Sequence, residues 1–255
     1  MTTDLERPAN LKDAYDRINQ RIDAAAAKRG RRGEDVLMVA VTKYASLDQV
    51  RALVELGHAD LGENRAQQLT QRAGQLDEFL SRKRMLQEED QPATVPEQLR
   101  WHMVGHLQRN KIKQVAPHVV LIHSVDTLRL AEELHNYAAD RDEVLDILIQ
   151  VNSSGESSKY GIAPPAVTHV AEQINTMLHL RLRGLMTMAP YAEDPEDVRG
   201  VFAHTAELFE DLRRQSFTGS ECNILSMGMS HDFEVAIEEG ANVVRIGSAL
   251  FGQNE

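Results

Sequence analysis

The residue with the clearest chemical potential in this sequence is Lys43, which directly follows the apolar run VLMVAVT at residues 36–42. An amine at the edge of an apolar core is expected to be partly dehydrated, and lost hydration favours the neutral form. A neutral amine can attack a carbonyl carbon and form a Schiff base. The simpler alternative is a lysine whose alkyl stem covers the core while its ammonium group stays in water.

Two segments rich in glycine and serine have the composition of a phosphate site. They are SMGMS at 226–230 and RIGS at 245–248, and each precedes a predicted helix. Glycine lets backbone approach an anion closely, and the first N–H groups of a helix are free to donate to it. Ordinary turns and helix caps use the same residue types, so each segment alone leaves both interpretations open.

Other polar residues within or directly after apolar runs are candidates for ligand contact. Arg245 lies inside VVRIG, and a buried arginine needs a partner, either a carboxylate or a ring nitrogen of a bound cofactor. Asn64 follows a short strand and either faces a ligand or caps the next helix. His102 and His106 are predicted on one strand face but lack the glutamate of an HExxH motif, which argues against a zinc site.

Strands and helices alternate along the whole sequence. Each apolar run is followed by a helical pattern, as at 63–81 and 108–116, and the runs lie at 36–42, 58–62, 101–106, 119–125, 144–152, 180–188, 222–228 and 242–248. Strict alternation predicts a parallel sheet, and eight units predict closure into a (β/α)8 TIM barrel. An open doubly wound sheet normally has a glycine-rich first turn, and no GxGxxG motif is present.

Barrel geometry places the candidate residues together, because ligands bind at the carboxyl ends of the strands. Lys43 follows the first strand, and the two glycine segments follow the seventh and eighth, where phosphate sites are common in this fold. The charged segment 82–99 is predicted to be a surface excursion within a single domain spanning 1–255, because the strand–helix pattern resumes unchanged after it.

Composition excludes several classes of partner. Acidic residues number 39 against 28 basic ones, for a formal charge of −11, which disfavours binding to nucleic acid or an anionic membrane. A single cysteine allows no internal disulfide, and the polar N-terminus is not a secretory signal. No apolar run approaches the roughly 20 residues of a membrane helix, so a cytoplasmic protein is expected.

Long segments of the sequence are similar to those of one known family. They include VAVTK at 39–43, LGENRAQQL at 61–69, WHMVGHLQRNK at 101–111 and LSMGMSHDFEVAIEEGANVVRIGSALFG at 225–252. On these segments the sequence resembles the pyridoxal phosphate homeostasis proteins, also described as proline synthase co-transcribed homologues. Two departures are visible, since Tyr44-Ala45-Ser46 replaces a segment that often carries proline, and 82–99 is longer than usual.

The resemblance implies a barrel like that of the alanine racemases (fold type III of the pyridoxal phosphate proteins). It implies that pyridoxal 5'-phosphate is held as an internal aldimine on Lys43, that Arg245 faces the pyridine nitrogen, and that the protein maintains and carries the cofactor for recipient apo-enzymes. The positions that match the family's cofactor contacts are Lys43, Asn64, Met186, Ser226, Gly228, Met229, Ser230, Arg245, Gly247 and Ser248.

Two other functions are compatible with these residues. One is a minimal racemase that uses the same cofactor, and the other is a barrel enzyme in which Lys43 forms a Schiff base with a sugar phosphate. Racemases of the related fold add a β-rich domain and a catalytic tyrosine from a partner subunit, and the sequence ends at Glu255 without the length for that domain. We therefore expect a monomeric carrier in preference to an enzyme.

Overall fold

A closed barrel of parallel strands forms the centre of the protein. The computed structural model describes residues 10–86, 95–156 and 160–252, and within these ranges eight strands pair in sequence order, with the last strand returning to the first. The strands are β1 (Leu37–Val41), β2 (Asp60–Glu63), β3 (Arg100–Met103), β4 (Val119–Val125), β5 (Leu145–Val151), β6 (Leu180–Thr187), β7 (Ile224–Met229) and β8 (Val243–Ile246). The predicted TIM barrel is therefore confirmed.

The helices surround this barrel. They are α1 (Leu11–Ala27), α2 (Leu47–Glu55), α3 (Ala66–Met85), α4 (Ile112–Val115), α5 (Leu128–Ala139), α6 (Val167–Asn175), α7 (Arg199–Arg213), α8 (Phe233–Glu238) and α9 (Ser248–Phe251). Their apolar faces and the outer faces of the strands form one large core, in which Phe202 and Phe233 are among the largest fully buried side chains. In the described part of the chain, no helix is both long and apolar enough to cross a bilayer.

Two helices differ from the sequence prediction. The helix predicted at 108–116 is reduced to α4 between two short 3-10 turns, and Pro117 lies in the second of these turns, where its missing N–H prevents an α-helix from continuing. Helix α3 continues to Met85, past the predicted end at 81. Its last turn carries Arg82, Lys83 and Arg84, and cations stabilise the carboxyl end of a helix. Residues 87–94 of the predicted excursion lie outside the described residues.

The barrel interior contains both small apolar groups and buried polar side chains. Four valines pack together inside it, and a second cluster contains Leu121, Leu148 and Met186. His102, His123, Ser226 and Arg245 are also buried there. Burying polar groups is costly unless they are hydrogen-bonded, so this interior must supply partners for each of them.

Gly184 holds the pairing between β6 and β7. Its φ of +144° is unfavourable for other residues, and a Cβ atom there would lie 1.9 Å from the carbonyl oxygen of Ile224. We expect Gly184→Ala to lower the free energy of unfolding by at least about 2 kcal/mol, since it adds both backbone strain and a clash. Urea unfolding followed by circular dichroism measures this change.

Gly74 provides the matched control, since it lies within α3 and a Cβ there would meet nothing within 4 Å. Gly74→Ala is expected to stabilise the protein by about 0.5–1 kcal/mol, because alanine loses less backbone entropy in a helix. Equal effects of the two substitutions would contradict the predicted role of Gly184.

Candidate functional site

Lys43 lies at the carboxyl-terminal rim of the barrel, two residues after β1 ends. Its backbone oxygen accepts a hydrogen bond of 2.9 Å from Gln68 Nε2. Its side chain is exposed, and Nζ lies 4.8 Å from the centre of the Tyr44 ring. The partial dehydration expected for this amine is therefore not found, because Lys43 extends beyond the strand into solvent while Tyr44, 63% exposed, covers it from one side only.

The segment that carries Lys43 is held by a buried ion pair. The Thr42 hydroxyl donates to Glu63 Oε1 at 2.5 Å, and Arg72 Nε lies 3.1 Å from the same oxygen. Arg72 Nη2 also donates to the backbone oxygen of Ala45 at 2.6 Å. Burial raises the pKa of the Glu63 carboxyl, whereas the hydrogen bond from Thr42 and the charge of Arg72 oppose that change. This ion pair fixes the backbone on both sides of Lys43.

Asn64 directly follows β2 on the same rim. It is half-buried, and its Oδ1 atom is buried without a hydrogen-bond partner among the described residues. Its backbone is tightly packed, since a Cβ on Gly105 would lie 2.3 Å from the Asn64 carbonyl oxygen. An unpartnered buried acceptor costs about 1–3 kcal/mol, so a ligand with a donor group at this position would be stabilised.

The two glycine-containing segments meet in the structure. Ser230, after β7, accepts hydrogen bonds through Oγ from the backbone N–H of Gly247 at 3.1 Å and of Ala249 at 3.2 Å. Ser248 and Met229 are exposed beside this junction. One hydroxyl thus joins the loops after β7 and β8 at the position where the sequence predicts a phosphate.

Gly228 is held in close packing between β7 and α8. Its φ is +91°, and a Cβ there would lie 2.8 Å from the Phe233 Cα atom and 2.6 Å from the Ala236 Cβ atom. This packing by itself requires glycine, and the predicted contact of Gly228 with a phosphate stays a prediction.

Two other predicted cofactor contacts are buried away from the rim. The Ser226 hydroxyl is fully buried and bonded to Arg245 and His123, so this side chain is not available to a phosphate. Met186 is fully buried in the interior cluster with Leu121 and Leu148, where it packs the barrel and does not line its opening. Both positions were predicted from matching segments, and the direction of a strand side chain depends on pairing within the sheet.

Arg245 is 4% exposed, as expected for an arginine within an apolar strand. Nη1 donates to Ser226 Oγ at 2.7 Å, and Nη2 donates to the Thr187 carbonyl oxygen at 2.8 Å. No carboxylate of the described residues forms an ion pair with it, so the carboxylate partner considered from the sequence is not found. Burial lowers the pKa of the guanidinium to about 10, while the charge of Asp232 opposes this.

The rim also carries polar residues to which the sequence assigned no role. His106 Nδ1 lies 2.8 Å from Asp126 Oδ2, and the His106 ring stacks on Tyr160 with ring centres 4.2 Å apart. His106 follows β3 instead of sharing a strand face with His102. Asp126, like Glu63, is a polar residue at the end of an apolar strand, and that signal could have identified both.

Two further observations concern a second lysine and a metal site. The polar loop SSKYG at 157–161 predicts that Lys159 is solvated, and this lysine lies outside the described residues. Within the described ranges, no group of three or more histidine, cysteine, aspartate or glutamate side chains is placed to hold a metal ion.

Comparison with protein families identifies close relatives. The model of the alanine racemase N-terminal domain matches residues 16–255. The pyridoxal phosphate homeostasis protein of Aquifex aeolicus is 38% identical over 250 residues, which cover 96% of this chain and 99% of that protein. The protein of the same name from Pseudomonas aeruginosa is 36% identical over 239 residues, which cover 94% of each chain.

Solved structures share the barrel. An unknown protein from Bifidobacterium adolescentis has a TM-score of 0.84 at 34% identity, over 94% of each chain. PipY of Synechococcus elongatus, solved with PLP bound, has a TM-score of 0.73 at 28% identity, over 92% of this chain and 100% of PipY. An alanine racemase of Clostridium difficile has a TM-score of 0.63 at 16% identity, over 93% of this chain and 55% of its own, and shares the fold.

The match to the barrel family extends over most of the chain, and the curated relatives align over nearly their whole length. The resemblance inferred from VAVTK and the C-terminal segments is thereby confirmed. The chain belongs to the family of pyridoxal phosphate homeostasis proteins, within the wider alanine racemase N-terminal domain family.

Proposed function

We propose that this protein binds pyridoxal phosphate at the carboxyl-terminal rim of its barrel, with Lys43 as the covalent anchor, and that it stores and carries the cofactor. The observation that carries the proposal is the pairing of β1 with β8. In that register Val39 is opposite Arg245 and Ala40 is opposite Ile246. Lys43 and Gly247 therefore follow neighbouring strand ends, directly above Arg245.

The residues at this rim have the chemistry that the cofactor requires. Pyridoxal phosphate supplies an aldehyde that condenses with a primary amine and releases water, together with a phosphate and a ring nitrogen that each need partners. Lys43 offers an exposed amine, and the joined loops after β7 and β8 offer hydroxyl and backbone N–H groups. Asn64 offers a buried acceptor that has no partner in the described structure. PipY, a relative of this chain, has been solved with PLP bound.

Each residue has a separate part in binding. Lys43 must lose its proton and move from the Tyr44 ring for its nitrogen to act as a nucleophile. The backbone N–H groups of Gly247 and Ala249 donate to the Ser230 hydroxyl in this structure. In the complex they would donate to the phosphate, and Ser248 lies beside them. Gly247 packs closely against the end of β1, since a Cβ there would lie 3.1 Å from the Val41 carbonyl oxygen.

The contact between Arg245 and the ring nitrogen is the feature that would distinguish a carrier from an enzyme. Two of its N–H groups bond to Ser226 and Thr187, and a guanidinium has five N–H groups and no acceptor. An N–H from Arg245 to the ring nitrogen would keep that nitrogen unprotonated. The ring is then a weak electron sink, which disfavours the carbanion chemistry of racemases and favours storage.

We further infer that the protein acts as a monomer in the cytoplasm and passes the cofactor to recipient apo-enzymes. Release to an amine requires that the bound cofactor be reached from solvent, and Lys43 and Ser248 are exposed at the rim. The cysteine of the chain, Cys222, is buried, and burial raises the pKa of its thiol to about 11, so it does not compete with Lys43 for an aldehyde.

The anchor is tested by reduction and mapping. After incubation with pyridoxal phosphate and borohydride, we expect the label on the peptide that contains Lys43, and we expect Lys43→Ala to lose the visible absorbance while it keeps its circular dichroism spectrum. Lys113→Ala, an exposed lysine on α4, serves as the control and should keep the absorbance. Label confined to Lys159 or another lysine would contradict the assignment.

The phosphate position is tested with an added charge. Ser248→Asp is expected to lower the affinity for pyridoxal phosphate about tenfold or more by charge repulsion, which equals at least about 1.4 kcal/mol of binding free energy. The affinity for pyridoxal should not change, because pyridoxal lacks the phosphate. Spectroscopic titration with both compounds measures the difference. Ser220→Asp, exposed in the loop before β7, adds the same charge and should change neither affinity. An equal loss of affinity for both compounds in Ser248→Asp would contradict the placement of the phosphate beside Ser248.

The carrier role is tested by turnover. The loaded protein incubated with L-alanine in D2O is expected to release cofactor to the amine without forming D-alanine, because an unprotonated ring nitrogen does not stabilise the carbanion. Chiral chromatography measures the product. Racemisation at enzymatic rates that disappears in Lys43→Ala would favour the minimal racemase instead.

A further inference from the structure

A continuous chain of buried side chains crosses the barrel interior and ends at Arg245. We define the buried relay as Asp60, His102, His123, Ser226 and Arg245. His102 Nε2 lies 3.2 Å from Asp60 Oδ1, and His102 Nδ1 lies 2.9 Å from His123 Nε2. His123 Nδ1 lies 2.9 Å from Ser226 Oγ, which accepts from Arg245 Nη1 at 2.7 Å. Each of the five residues is at most 4% exposed.

The two ends of the relay restrict the protons between them to two orders. Arginine can only donate, and an ionised carboxylate can only accept. Ser226 accepts from Arg245, and its own proton is free to be donated to His123 Nδ1. In this first order His123 donates from Nε2 to His102 Nδ1, His102 donates from Nε2 to Asp60, and both imidazoles are neutral with their protons on Nε2. In the other order that satisfies the same bonds, His102 is doubly protonated and donates to Asp60 and to His123, and His123 donates from Nδ1 to Ser226.

The pKa shifts of Asp60 and His123 establish the charges of these two members of the relay. Burial alone would raise the pKa of Asp60, but hydrogen bonds from His102 and Arg100 outweigh it and lower the pKa to about 2. Burial, together with the neighbouring His102 and Arg245, lowers the pKa of His123 well below its usual value. Asp60 is thus an anion and His123 is neutral near pH 7.

The relay also explains how the barrel accommodates a buried cation. Arg245 forms no ion pair among the described residues, although the charge of Asp232 acts on it from a distance, and a buried charge without close compensation is strongly unfavourable. In the first order every hydrogen bond of the relay points its proton toward Asp60, so the lone pair of each acceptor faces back toward Arg245. Aligned in this way, the bonds polarise one another and bring the effect of the Asp60 charge to the guanidinium.

We propose that the buried relay positions Arg245 and transmits the negative charge of Asp60, from the opposite end of the barrel, to the guanidinium that contacts the ring nitrogen. Asp60, His102, His123 and Ser226 are then positioning residues for the bound cofactor. This inference rests on the proposed function, because it takes Arg245 to be the partner of that nitrogen. Without the relay, Arg245 would lose a fixed orientation and part of its countercharge.

The lower end of the relay is well separated from the rim. Asp60 and Arg100 are the first residues of β2 and β3, whereas Lys43 follows the carboxyl end of β1. Arg100 Nε donates to Asp60 Oδ1 at 2.7 Å, and both residues line a cleft of about 460 Å³ at the amino-terminal face. A substitution at Asp60 therefore changes the relay without touching the candidate cofactor site.

The proton order is tested on the wild-type protein. Long-range 1H–15N spectra of the imidazoles should show His102 and His123 as neutral rings with the proton on Nε2, with His123→Gln used to assign the signals. A proton on Nδ1 of His123, or a doubly protonated His123 at pH 7, would reverse the order and overturn the proposal. This measurement needs no bound cofactor, and the only variant that it needs is the one used for assignment.

Transmission is tested with three variants of the protein loaded with pyridoxal phosphate. Asp60→Asn removes the terminal charge, and His123→Leu interrupts the relay. We expect both to shift the visible absorption maximum in the same direction at a fixed pH, and His123→Leu to weaken binding about tenfold, as for a lost hydrogen bond to a charged group. His123→Gln, which has both a donor and an acceptor, should restore most of the affinity.

Glu34→Gln is the matched control, because it removes an exposed carboxylate that lines the same cleft as Asp60 but lies outside the relay. We expect its absorption maximum to match that of the wild type. If Asp60→Asn leaves the absorption maximum unchanged, or if Glu34→Gln shifts it as much as Asp60→Asn does, the charge of Asp60 is not transmitted and the proposal is wrong.

The two proposals fail in different ways. A wild-type protein that gains no visible absorbance with pyridoxal phosphate, or that is labelled away from Lys43, contradicts the proposed function. Normal labelling at Lys43, combined with identical spectra for the wild type, Asp60→Asn and His123→Leu, leaves the proposed function intact and overturns the relay alone.

Discussion

The parallel pairing of β1 with β8 is the contact on which the candidate site depends. Closing the barrel brings the first strand beside the last, so Lys43 and the segment 245–248 lie on neighbouring strand ends although they are far apart in sequence. A parallel ladder also aligns the carboxyl ends of its strands, which places Asn64 and the loops after β7 and β8 on the same rim. Without this closure, the Lys43 amine, the loops after β7 and β8 and the Arg245 guanidinium would lie far apart.

A second constraint comes from the polarity of the barrel interior. Valines fill part of it, but two histidines, a serine and an arginine cross it in one hydrogen-bonded order. Such an interior is costly unless every polar group finds a partner, and a fully partnered network is correspondingly rigid. The same groups that make Arg245 tolerable in the core also limit the directions in which its remaining N–H groups can point.

The fold itself does not decide between a carrier and an enzyme. Alanine racemases share this barrel at low identity, so likeness of fold carries no conclusion about reaction chemistry. The distinction depends on local groups, namely which residue faces the ring nitrogen and which acids and bases stand near Lys43. Two pairs of ionisable side chains at the rim are of types that enzymes use as acids and bases, namely His106 with Asp126 and Glu63 with Arg72. Glu63 is held in its ion pair beneath the loop that carries Lys43.

Sequence alone was sufficient for the architecture, and it predicted a candidate site at the rim. The alternation of apolar runs and helices predicted eight strands and a closed barrel, because the period of each pattern reflects which face of an element is buried. The position of Lys43 after the first run, and of glycine and serine after the last two, predicted a rim site. Long helices were also predictable, although the end of α3 and the shortness of α4 depended on local capping and on Pro117.

Only the tertiary structure decided which polar side chains face inward, which reach the rim and which groups pair. Ser226 proved to be a buried partner of Arg245, and Gly228 proved to be packed closely against α8. His123 and Asp60 lie in unremarkable segments, and their connection to Arg245 appears only when β4 faces β7 across the barrel. The physical reason is that hydrogen bonds between distant strands depend on register and barrel closure, and neither is encoded by the residues of one segment.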